Sequence, residues 1–158
     1  MNTIEKKSVK AGKFVGSKHV DTVIKNYKQN RWVYNSKRLG KEDSLSVWFS
    51  IEDMEIFLER AKQHGGDGVR YYFGAYDEHF ADMPLYAGRQ TIVMVATKQK
   101  ETAAGIKDKD IYISTDQGTN ILAFNVGRIC PPMCTSDDGF GGLGITIVDK
   151  GDDGLVVA

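Results

Sequence analysis

Cysteine and proline are scarce, at 2 and 3 of 158 residues. So few cysteines exclude a disulfide-dense secreted scaffold, and so few prolines exclude collagen-like repeats. No run approaches the roughly 20 apolar residues that a bilayer span requires, so no membrane insertion is expected. The opening MNTIEKKSVKAGKFVGSKHV has lysines but no uninterrupted apolar stretch. It does not read as a secretory signal, and the expected location is cytoplasmic. Net charge is absent too, with 21 basic and 21 acidic side chains. What is present, 41% hydrophobic and 27% charged residues, argues against wholesale disorder and for a soluble globular chain. A chain of this length buries roughly two thirds of its extended surface, enough for one self-sufficient core.

The neutral total hides a division. Residues 1–41 carry eleven basic side chains against Glu5 and Asp21, a net +9, and the remaining 117 residues are at −9. Such an asymmetry either steers a partner or is satisfied within the molecule.

Ser17 can cap a helix beginning near Lys18, with Val20, Val23, Ile24 and Tyr27 as its apolar stripe and Trp32 as an extension. Val47–Phe49 suggests a short strand. Ser50 then caps a helix whose Ile51, Met54, Phe57, Leu58 and Ala61 recur at helical spacing and should face the core. Glu52 and Asp53 favour its positive end, and Gly65 or Gly66 supplies the left-handed residue that stops it. GVRYYFGAY alternates as a strand, and QTIVMVAT is apolar enough for a central one. The polar stretch from Lys98 to Asp110 reads as a connector to a hairpin, whose strands Ile111–Ile113 and Ile121–Phe124 bracket TDQGTN. Ile145–Val148 and Leu155–Val157 read as two late strands. The expected fold is therefore α+β, a mixed or mainly antiparallel sheet with about two helices. Residues 1–158 form a single compact domain with a basic N-terminal arm.

The strongest polar grouping follows the second strand. Arg70, Tyr72 and Tyr76 share its parity, and Asp77, Glu78 and His79 follow. Arginine can fork a carboxylate or phosphate, and tyrosine hydroxyls can orient it, so these three are the candidate ligand-binding residues. His79 can exchange a proton near neutral pH with Asp77 orienting its ring, and Asp116 is a further candidate acid. Those three are the candidate catalytic residues. The bland alternative is that Arg70 pairs with an acid on a neighbouring strand.

Other motifs fall short. ICPPMC spaces Cys130 and Cys134 too widely for a CxxC redox pair, and a second ligand pair for zinc is missing, so a disulfide or structural thiols are expected and no metal. DKGDDG has glycine where an EF-hand needs its second carboxylate. GFGGLG lacks the lysine of a phosphate loop and the spacing of a dinucleotide fingerprint, and no G-x-S-x-G elbow occurs. No cofactor is called for.

Three functions remain open. The leading one is a small binding or interaction domain that recognises an anionic small ligand or an acidic protein surface through the Arg/Tyr patch. The second is a metal-independent hydrolase or transferase with His79 as acid/base and Arg70 stabilising developing charge. The third, nucleic-acid binding through the basic N-terminal segment, has charge in its favour but no zinc-finger spacing or aromatic–glycine RNA signature, and nucleic acid is not the expected partner.

Overall fold

Helix formation starts where a glycine releases the chain from extended backbone. In the computed structural model, which describes residues 10–134, 147–149 and 155–157, Gly16 rather than Ser17 is the N-cap. Helix α1 (Ser17–Tyr27) continues through a π-helical turn, Lys28–Trp32, into α2 (Val33–Leu39). Gly40 ends it at φ 70°, a left-handed conformation that costs glycine little. The expected apolar stripe is only half-buried at Val20, Ile24 and Tyr27, and Val23 is exposed.

The other strands and helices are β1 (Ser46–Trp48), α3 (Ile51–Gln63), β2 (Gly68–Ala75), β3 (Gln90–Thr102), β4 (Gly105–Asp110) and β5 (Tyr112–Thr115). After them come β6 (Gly118–Ile121), β7 (Ala123–Phe124), β8 (Arg128–Cys130), β9 (Ile147–Asp149) and β10 (Leu155–Val157). The fold is α+β, and the β1–β8, β3–β4, β3–β7, β5–β6 and β9–β10 pairs are all antiparallel. No helix among the described residues is long and apolar enough to cross a membrane. The first nine residues, GFGGLG and the stretch 150–154 of DKGDDG lie outside the described residues.

Backbone contacts group the chain into two units, one of residues 1–13, 49–72 and 93–125, the other of 14–48, 73–92 and 126–158. In the first unit, Ser50 caps α3 as its sequence position demands: its Oγ accepts from Asp53 N at 2.9 Å. At the other end Gly65 N donates to Lys62 O and Gly66 N to Ala61 O, the paired bonds of a Schellman stop. A side chain at Gly66 would meet the Ala61 carbonyl at 2.8 Å, so the turn admits only glycine there without a backbone shift.

The buried core of this unit is Phe57, Ala61, Met94, Ala96 and Leu122, with Phe49, Met54, Val69 and Phe124 packed on it. Ile51 and Leu58, expected to face the core, are exposed at 78% and 38%. The core-facing stripe of α3 is narrower than the apolar stripe of its sequence, running through buried Phe57 and Ala61 and half-buried Met54. Truncating fully buried Met94 to alanine is expected to cost about 2–5 kcal/mol.

The polar stretch after Lys98 is not a connector. β3 runs on to Thr102 and returns as β4, with Thr97 opposite Asp110, Lys98 opposite Lys109 and Lys100 opposite Lys107. Period-two alternation holds through this ribbon, but between polar residues of different kinds, which a hydrophobicity pattern does not register.

In the second unit β1 pairs with β8, and Tyr76, Tyr86 and Ile129 form a buried cluster flanked by Val47, Phe80 and Met83. A short 3-10 turn, Pro84–Tyr86, folds the long segment after β2 back onto that cluster.

Candidate functional site

Alternation along β2 puts Arg70 and Tyr72 on one face, and the β3–β4 register brings Asp110 to the end of β4 beside them. Arg70 forms an ion pair with Asp110 Oδ1 through Nη1, and Nη2 donates to the Asp108 carbonyl at 2.8 Å. The Tyr72 hydroxyl donates to the other carboxylate oxygen, Asp110 Oδ2, at 2.6 Å. One carboxylate is thus held on both oxygens by a guanidinium and a phenol. The Tyr72 hydroxyl, accepting from Nη1, raises the guanidinium pKa above its ordinary value; burial opposes it, and the Asp110 charge adds a smaller upward push. The Arg70 side chain is 37% exposed and that of Asp110 17%, so the grip is open to solvent on the arginine side.

Beside it lies a cleft of about 270 Å³ whose lining includes Asp67, Gly68, Arg70, Thr97, Gln99 and Asp108. Gly68 lets β2 pass close to Thr97 there: a Cβ would stand 2.7 Å from Thr97 Oγ1 and the threonine side chain would have to shift. The Asp67 carboxylate accepts from the Gln99 amide at 3.2 Å. The cleft wall therefore has one cation and two aspartates, and Arg70 is the group that reaches both the cleft and the resident carboxylate.

The other candidates fall elsewhere. Tyr76, grouped with Arg70 and Tyr72 by parity, is buried in the second unit at 9% exposure. It stacks on Phe80 at 4.8 Å and its hydroxyl accepts from Thr91 Oγ1 at 3.2 Å. Its ring is a packing element, which the Phe80, Tyr86 and Ile129 contacts require and the strand pattern alone does not reveal. Asp77 and His79 lie in the same unit, both exposed, but Asp77 Oδ1 accepts from the His79 backbone amide at 2.8 Å. That bond closes a turn at the end of β2 and leaves the imidazole without an orienting carboxylate bond from Asp77. Asp116 sits exposed at the β5–β6 turn of the first unit and takes no part in the Arg70–Tyr72–Asp110 cluster. Cys130 and Cys134 form a disulfide with Cα atoms 4.8 Å apart, so structural free thiols are not what this segment holds. Among the described residues no three His, Cys, Asp or Glu side chains are arranged to hold a metal ion.

Sequence reasoning missed a second polar cluster, in the second unit. Asp43 and Ser44 are each 3% exposed and Arg89 is 8% exposed. Asp43 Oδ1 accepts from the amides of Ser44 at 2.8 Å and Gln90 at 2.7 Å, while Trp32 Nε1 donates to the Asp43 carbonyl at 2.7 Å. Ser44 Oγ donates to the Gln90 carbonyl, and the Tyr27 hydroxyl donates to the Gln90 side chain. Arg89 donates to the carbonyls of Leu85 and Glu42. Burial lowers the Arg89 pKa from its ordinary value, opposed by the charges of Asp43 and Glu42. Burial first, and then the Asp43 charge, raises that of Tyr27. These bonds join the helical stretch to the start of β3 and are consumed by doing so. No family model, curated protein or solved structure matches the chain.

Proposed function

We propose that the chain is a binding domain, not an enzyme, and that it recognises carboxylate groups of an anionic small ligand or an acidic protein surface at the Arg70–Tyr72 face. The observation that carries this reading is the way Arg70 and Tyr72 together hold both oxygens of Asp110 beside a cleft. A planar guanidinium fork with a phenol at its side matches a carboxylate better than a lysine would. The resident Asp110 is the internal competitor. A ligand carboxylate engages Arg70 from its exposed side and takes the fork by displacing Asp110 from Nη1 and the Asp108 carbonyl from Nη2.

The catalytic alternative draws no support from the His79 segment, where Asp77 is occupied by backbone. The Cys130–Cys134 disulfide supports an oxidising compartment over the cytoplasm. Calorimetric titration of the full chain tests the binding reading, with glutarate as the small-ligand arm and a Glu–Gly peptide as the protein-surface arm. Wild type binds at least one of them, Arg70→Gln binds neither, and Asp110→Ala binds more tightly than wild type. Equal binding by wild type and Arg70→Gln contradicts the proposal.

A further inference from the structure

The β3–β4 ribbon has a second face that the Arg70 cluster does not use. Its register sets Lys98 directly opposite Lys109 and Lys100 directly opposite Lys107, so all four lysines project from one side. The acidic residues of the ribbon, Glu101, Asp108 and Asp110, fall on the other side, with Gln99 and the exposed Ile106. All four lysines are exposed, and among the described residues none has a carboxylate within ion-pair distance. The Lys98 ammonium lies by the Gly65 turn at the end of α3, where backbone carbonyls and the negative helix end offer it a weak partner.

Like charges directly opposite on a strand pair are destabilising. Lysine does protect exposed sheet edges, but alternating signs would protect as well without the repulsion. Two consecutive Lys–Lys pairs therefore cost the free ribbon stability that a bound anion would return.

We infer that this lysine face binds the phosphate backbone of a double-stranded nucleic acid, without reading its sequence. The chemistry of the face selects that partner. Four point charges, about 5 Å apart across the ribbon and about 7 Å along it, form an array suited to regularly repeated phosphates. There is no arginine fork on it for planar carboxylates. It has no aromatic ring for stacking unpaired bases, and no apolar residue for entering a bilayer. A two-stranded ribbon also has the width a major groove admits. Contacts to phosphate alone position a protein and carry no base preference. This inference is independent of the Arg70 reading, which concerns the opposite face.

Fluorescence anisotropy of the full chain with a labelled 20-base-pair duplex, across a salt series, tests it. Each phosphate neutralised contributes about −0.9 to the slope of log K against log salt, so four lysines give a slope of about −3 to −4. The variant with Lys98, Lys100, Lys107 and Lys109 all changed to Gln loses at least about tenfold in affinity, and its slope falls towards zero. Changing all four to Arg keeps the binding. A second variant, with Lys18, Arg31, Lys37 and Arg38 changed to Gln, binds as wild type does. Circular dichroism confirms that each variant is folded. The inference is overturned if wild type fails to bind the duplex at low salt, or if the ribbon variant binds like wild type. It is also overturned if the second variant is the one that loses binding, or if polyglutamate or phosphatidylserine vesicles bind in place of the duplex.

Discussion

Two polar clusters of similar composition meet different fates in the two units. Each has an arginine, an aspartate and a tyrosine. The charged groups of Asp43 and Arg89 are buried and spend their hydrogen bonds on backbone amides and carbonyls. Around Arg70, Tyr72 and Asp110 the bonds run mainly between side chains, and the guanidinium is partly open to water. A buried acceptor cannot be given up without leaving amides unpaired in a low-dielectric interior, which makes the first cluster structural. A partly exposed ion pair contributes less to stability because water and salt replace part of its attraction, which leaves the second cluster available for exchange. Burial, more than composition, separates a fastening from a site.

Of the changes that separate the two clusters, removing the buried acceptor has the largest expected effect. Asp43→Ala orphans the amides of Ser44 and Gln90 and is expected to cost about 2–4 kcal/mol in urea unfolding. In a chain of this length that lowers Tm by roughly 2–4 °C for each kcal/mol. Asp43→Asn, which keeps an oxygen acceptor, should cost less. Equal losses for the two would show that charge, not acceptance, is what the network uses.

Next comes the disulfide. Reducing Cys130–Cys134, or replacing both with serine, opens a five-residue loop and is expected to cost about 2 kcal/mol by chain entropy. Trp32 and Trp48 both lie in the second unit, so tryptophan fluorescence should report this loss directly. A free-thiol count near two before reduction would contradict the bond itself.

A smaller effect appears in alkali. Burial and Asp43 raise the Tyr27 pKa above 10.0, so the folded chain keeps that proton where the unfolded chain releases it. The resulting stability is whole below pH 10 and is lost as pH climbs through the folded value. Tyr27→Phe should therefore flatten the decline in stability above pH 10. Identical alkaline profiles would break the assignment. Smallest of all is the effect of Arg70→Gln on stability: the unfolding midpoint stays near wild type, while carboxylate binding is lost. A large fall in that midpoint would move Arg70 into the same class as Asp43.

Legibility in the sequence follows the same division. Local signals survived folding. Ser50 caps α3 and Gly65 and Gly66 stop it, because each depends on neighbours a few residues away. A hairpin forms where one is expected, but it turns at Asp116 and Gln117, and Gly118 and Asn120, the expected turn residues, lie in β6. Arg70 and Tyr72 were visible as a pair because strand parity is local, and the pairing of Arg70 with an acid on a neighbouring strand was the bland alternative. Their partner was not visible, since Asp110 reaches them only through the register of a ribbon whose strands alternate lysine with glutamine and aspartate. Parity also misplaced Tyr76, whose burial depends on Tyr86 and Ile129 arriving from later in the chain. The Asp43 network depends on Gln90, 47 residues away, and no local pattern announces it.

The most direct test of the central claim is an amide-shift map of the labelled wild-type chain titrated with glutarate. Saturable shifts are expected at residues 67–72, 97–99 and 108–110, with residues 42–44 and 89–91 unmoved. Shifts centred on the Asp43 network, or none that saturate, would contradict it.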